Sequence, residues 1–172
     1  MTLRAMAATC GRFLLSPLRT LAWKAIKSWV RWCFPSVERL STASLAERLA
    51  REEQIVLIDA RSPQEYAVSH LPGALRADSV EAVRQAGVGK QDTVVAYCSI
   101  GYRSARLVEQ LAVADYWAVN LEGSLFEWAN ENRLLLRAGQ RTAQVHAYSA
   151  TWALLLSSFG SDECVLDGFD DG

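Results

Sequence analysis

Cysteine and histidine are scarce in this chain, and unbroken apolar runs are missing. Its 172 residues hold four cysteines and two histidines. Cys10, Cys33, Cys98 and Cys164 form no C-x-x-C pair, and neither His70 nor His146 stands at metal-ligand spacing from one of them. This argues against a zinc site, and no metal or cofactor is expected. A disulfide framework is equally ill-suited to a chain that is 51% hydrophobic and able to build a packed core. A reducing, cytoplasmic compartment that leaves the thiols free fits best. A membrane-spanning helix needs about 20 residues with few charges. The most apolar stretch, Phe13 to Phe34, is interrupted by Arg19, Lys24, Lys27 and Arg31, and Arg19 breaks the apolar centre that a secretory signal requires.

The net charge of −1 hides a lopsided distribution. Residues 1–39 carry a net +6, residues 161–172 a net −5, and the middle only −2. The middle therefore has no nucleic-acid footprint, and no nucleic-acid partner is expected. On a helical wheel the four cations of Phe13–Phe34 fall mostly on one side. Leu14, Leu18, Leu21, Ala25, Trp29 and Trp32 cluster on the other. That pattern suits a basic amphipathic helix lying in an anionic membrane interface through residues 1–34. Packing on the domain or on a partner, and an organelle transit peptide, are the competing readings.

From Leu40 onward, strands and helices alternate. Gln54–Asp59, Thr93–Tyr97 and Trp117–Leu121 read as buried strands. Helices are expected from Ser44 (a Ser-x-x-Glu capping pattern) to Ala50, and over Pro63–Val68, Ser79–Gln85, Ser104–Ala114 and Ser124–Asn130. Alternation of this kind implies an α/β fold with a central parallel sheet and helices on both faces. The tryptophans at 117, 128 and 152 read as packing residues. Val145 to Leu156 is a candidate last helix, and 161–172 an acidic, disordered tail.

In such sheets, sites lie at the carboxyl ends of strands. Cys98 follows the Thr93–Tyr97 strand directly and precedes a helix. Converging backbone amides and the helix dipole favour the thiolate there, and the thiolate is the nucleophilic form. The segment Cys98-Ser99-Ile100-Gly101-Tyr102-Arg103-Ser104 resembles the C-x-x-G-x-R-S loop of the rhodanese family. Two further blocks agree in order and spacing. Asp59-Ala60-Arg61 with Glu65, Tyr66, His70, Gly73 and Ala74 is similar to the family's D-x-R-x-x-x-E-[FY]-x-x-x-H-[IL]-x-G-A. Leu121 to Trp128 is similar to L-x-G-G-x-x-x-W, with one of the two glycines replaced.

The resemblance implies a rhodanese-like three-layer domain over residues 40–137. It would be flanked by a basic amphipathic extension (1–39), a C-terminal extension with a candidate helix (138–160) and the acidic tail (161–172). It implies a sulfurtransferase in which Cys98 takes a sulfane sulfur from thiosulfate or a persulfide and passes it to a thiol or cyanide. Gly101 would let the loop amides turn inward, and Arg103 would supply a cation for an anionic donor. Ser99, Ile100, Tyr102 and Ser104 would complete the binding loop, with Asp59, Arg61 and His70 in support. Arg61 and Glu65, four apart, are expected to pair on a helix turn. Two other readings remain. A phosphatase or arsenate reductase of the C-x5-R type needs arginine at 104, where this chain has Ser104. A non-catalytic, membrane-tethered adaptor is the other. No loop residue precedes Leu40, so a chain beginning near Ser36 is expected to keep its activity.

Overall fold

A computed structural model describes residues 3–157 and 164–165, with side chains from residue 17 onward. Five parallel strands form one sheet in the order β1-β5-β4-β2-β3. They are β1 (Arg39–Leu40), β2 (Val56–Asp59), β3 (Leu75–Arg76), β4 (Val94–Tyr97) and β5 (Ala118–Leu121). The central strand, β4, is buried throughout and pairs β2 from Val56↔Val94 to Asp59↔Tyr97.

Side chains alternate across a strand, so β4 feeds two cores. Val95 and Tyr97 enter one, with Leu45 of α2 (Thr42–Ala50) and Leu125, Phe126 and Trp128 of α6 (Ser124–Asn130). Val94, Ala96 and Cys98 enter the other, with Val83 of α4 (Val80–Gln85) and Ala105, Val108 and Leu111 of α5 (Tyr102–Val113). Helices thus lie on both faces, as the alternation of elements predicts.

Some boundaries differ. Helix α2 begins earlier than the Ser44 capping pattern suggests: Ser41 is its cap and accepts from Ser44 N–H at 3.1 Å. Helix α3 (Pro63–Val68) carries a full capping box, Ser62 with Glu65, and α5 starts at Tyr102 rather than Ser104.

Helix α1 runs from Leu3 to Cys33. Its carboxyl half packs on the domain: Val30 and Phe34, just past its end, are buried, and Trp23 and Ile26 pack against the cores. Lys27 reaches Glu127 at 2.6 Å and Arg31 forks onto Glu122 at 2.7 and 2.9 Å. Two of the expected interfacial cations therefore face the domain. Leu18, Leu21 and Trp32 point outward, whereas the expected Leu14 side chain lies outside the described residues. Among the described residues no helix is long and apolar enough to cross a membrane.

The C-terminal extension departs from its expected single helix. A hairpin, β6 (Leu135–Arg137) with β7 (Gln140–Thr142), comes first. Next, β8 (Val145–His146) pairs in parallel with β9 (Cys164–Val165), so two residues of the expected disordered tail form a strand; 158–163 and 166–172 lie outside the described residues. Tyr148 sits at φ +65°, a left-handed conformation that interrupts any helix running through it. The helix α7 (Ala150–Ala153) therefore starts only at its cap, Ser149. Ala153, Leu155 and Leu156 are buried, and Trp23 Nε1–H of α1 donates to Leu155 C=O at 3.3 Å. Trp128 is buried as expected, but Trp117 is 60% exposed.

Candidate active site

Cys98 stands at the carboxyl end of β4 and is 1% exposed. Gly101 N–H donates to Cys98 Sγ at 3.1 Å. Gly101 caps α5 at φ +103°, a conformation that favours glycine, and offers no side chain to the first helical amides. The cysteine sulfur occupies the place a capping oxygen would take. Burial pushes the Cys98 thiol up, but the Arg103 charge, the Ser104 amide and hydroxyl, and the Gly101 amide outweigh it, so the thiol lies below its ordinary value.

The loop is held from behind by α6. Leu125 and Phe126 amides donate to the Cys98 and Ser99 carbonyls, both at 3.0 Å. Cys98 N–H donates to Ser124 Oγ at 3.2 Å. With its carbonyls drawn back, the loop turns the Gly101 amide toward the sulfur. Asn120, at the end of β5, closes the other side: it accepts from Ser104 Oγ at 2.7 Å and donates to Gly101 C=O at 3.0 Å. Ser104 is fully buried in this brace, so the position where C-x5-R chemistry needs a cation holds a structural hydroxyl.

Arg103 lies on the pocket wall, but its guanidinium is not free. Nη1 and Nη2 donate to the two Glu65 carboxylate oxygens at 2.7 and 2.6 Å, and Nη2 also donates to Ser99 Oγ at 3.0 Å. Ser99 donates back to Glu65 at 3.2 Å. Glu65 is almost fully buried; burial pushes its carboxyl up, but Arg103, the Ser62 amide and Arg61 override this and bring it down to about 2. The expected Arg61–Glu65 pair is absent. Arg61 instead forks onto Asp59, with Nε at 2.9 Å and Nη2 at 2.6 Å, in a fully buried pair. Burial of a charge requires a close counter-ion, and Asp59, two residues away, is nearer than the helix position.

Asp59 and Arg61 therefore brace the loop after β2 and do not line the pocket. Nor does His70, which stacks on Tyr66 with centroids 4.0 Å apart and places Nδ1 3.1 Å from Tyr66 C=O. The site roles that sequence reasoning misses include the Glu65 clamp, the Asn120 brace and the pocket-lining rings of Trp29, Tyr148 and Trp152. Glu65 has a local signal, its capping-box place three after Ser62. Asn120 has only its position at a strand end.

The pocket above Cys98 encloses about 190 Å³. Ser99, Ile100, Tyr102 and Arg103 of the loop line it together with Trp29, Tyr148 and Trp152. Trp29 stacks on Tyr102 with centroids 4.8 Å apart, Phe34 meets the Tyr102 edge at 5.1 Å, and Arg103 lies 5.6 Å from the Tyr148 ring centre.

Comparison with known proteins agrees with this geometry. The rhodanese-like domain model matches residues 41–131. A sulfurtransferase of Allochromatium vinosum is 35% identical over 95 residues, which span 54% of this chain and 89% of that protein. A rhodanese-like domain protein from Staphylococcus aureus is similar in structure, with TM-score 0.53 and 26% identity, over 59% of this chain and 98% of the other. A thiosulfate sulfurtransferase from Pseudomonas aeruginosa shares the fold at TM-score 0.56 and 21% identity, over 77% of this chain and 26% of that one.

Proposed function

The chain belongs to the rhodanese-like domain family, and from that membership we propose that it transfers sulfane sulfur through a persulfide on Cys98. The observation that carries this reading is the lone sulfur at the strand end, 3.1 Å from the Gly101 amide and facing the first turn of α5. In the first step the Cys98 thiolate attacks the outer sulfur of a donor such as thiosulfate. The sulfur–sulfur bond of the donor breaks, sulfite leaves with the electron pair, and Cys98 carries the persulfide. In the second step a thiol or cyanide attacks the outer sulfur of that persulfide and the Cys98 thiolate leaves. Two covalent half-reactions make ping-pong kinetics the expected signature.

The lowered Cys98 thiol supports the nucleophile, and the inward Gly101 amide supports the negative charge on either sulfur. Arg103 acts chiefly as a positioning residue: clamped by Glu65, it holds the loop and biases Cys98 toward thiolate.

Intact mass after incubation with thiosulfate tests the proposal. A gain of one sulfur atom in the wild type, absent in Cys98→Ser, is the expected result. A wild type that gains no sulfur from any sulfane donor would leave a binding module as the better reading.

A further inference from the structure

Trp29, Tyr148 and Trp152 lie outside residues 41–131, the part matched to the family. They come from the two extensions, yet they converge over the family's reactive loop. Both extensions are fastened there. Trp23 of α1 donates to Leu155 C=O, and Asn130 of α6 donates to the same carbonyl at 2.8 Å and accepts from Ser157 N–H at 2.7 Å. The rings therefore stand on anchored elements.

Together these rings make a mouth with few polar groups. Its one cation, Arg103, is matched by the Glu65 carboxylate through two hydrogen bonds, so little positive charge remains for an inorganic dianion. The space is small. An apolar cavity of about 150 Å³ accepts a benzene ring, and this one of about 190 Å³ has room for one ring-sized group beside the reacting sulfur.

We propose that these extensions make the enzyme selective for a low-molecular-weight organic sulfur carrier, R–S–S⁻ or R–SO2–S⁻, whose R is apolar and ring-sized. The inference rests on the sulfur-transfer reading above. The R group lies against Trp29, Tyr148 and Trp152, and the terminal sulfur meets Cys98. The Cys98 thiolate bonds to that terminal sulfur, the bond to the rest of the carrier breaks, and R–S⁻ or R–SO2⁻ leaves with the electron pair. No oxidant or reductant is required.

Benzenethiosulfonate and methanethiosulfonate test this as a matched pair, with the same charge and the same reacting atoms. Persulfide formation on Cys98 is followed by intact mass, and each rate is divided by that of the same donor with a free thiol. The wild type should prefer the aryl donor by about tenfold after this correction, a difference of about 1.4 kcal/mol. Trp152→Ala and Trp29→Ala should each lower that preference by about two- to tenfold, and Trp152→Phe, which keeps a ring, should retain most of it. Thermal melts establish that the variants are folded. Equal corrected rates in the wild type overturn the proposal alone, and so does a preference unmoved by both alanine variants. Failure of every donor to load Cys98 overturns the sulfur-transfer reading itself.

Discussion

At the scale of single residues, the site is a balance around one buried sulfur. Desolvation alone would keep Cys98 protonated, and charge and hydrogen bonds reverse the outcome. Cys164 lacks that help, and burial pushes its thiol up. Alkylation followed across pH should therefore titrate Cys98 at lower pH than Cys164, and equal midpoints would show the loop has no such field. Glu65 makes a second prediction. Its carboxyl falls from an ordinary 4.5 to about 2 in the folded protein. Between those values the unfolded chain binds the extra proton, so this contribution to stability is complete above about pH 4.5 and is lost as pH falls through about 2. The shift corresponds to roughly 3 kcal/mol. Unfolding free energy measured by urea titration across that window should fall less in Glu65→Gln than in the wild type; parallel curves would mean that Glu65 is not the linked group. The residue scale also marks where sequence is a partial guide. Cys98 and its loop were legible because one strand, one glycine and one helix start are local features. The Arg103–Glu65 clamp spans 38 positions, and nothing local shows that Arg61 takes Asp59 and leaves Glu65 to Arg103.

At the scale of elements, five helices and three strands between Ser41 and Asn130 are readable from apolar runs and caps; α3 and α6 match their expected limits residue for residue. The two-residue strand β1 is less so, because pairing rather than composition creates it. The C-terminal extension differs from the expected helix for a related reason: Tyr148 takes a positive φ that its residue type does not announce. Helix α1 changes one expectation. A chain beginning at Ser36 keeps every loop residue but loses Val30 and Phe34 from the core and Trp29 from the pocket. Burial of Val30 and Phe34 alone is worth about 3–6 kcal/mol, against a total of about 5–15 kcal/mol for a typical domain. The shortened chain should unfold at distinctly lower urea concentration than the full chain, and its sulfur loading should slow with it. An unchanged midpoint would show that α1 is a passive appendage.

At the scale of the whole molecule, the remaining question is what the outer side of α1 meets. Its inner side is committed, with Trp23, Ile26 and Val30 on the cores and Lys27 and Arg31 held by Glu127 and Glu122. Leu18, Leu21 and Trp32 are 63%, 61% and 80% exposed. Three large apolar side chains on one exposed helix flank are more than scattered surface residues. The first 39 residues carry a net +6, of which Lys27 and Arg31 are matched by Glu127 and Glu122; the remaining net +4 draws that flank toward anionic lipid. The full chain should therefore co-sediment with anionic vesicles at low salt and less at high salt, since exposed charges are screened over about 10 Å at 0.1 M. The informative variant is the triple change Leu18→Glu, Leu21→Glu and Trp32→Glu. All three positions are exposed and lie away from the pocket, so the variant should stay folded and still load sulfur on Cys98 while losing the vesicles. Truncation could not separate these effects, because it strips the core as well. If the wild type stays in the supernatant at low salt, or the triple variant sediments with it, the outer side of α1 is not a lipid-facing surface.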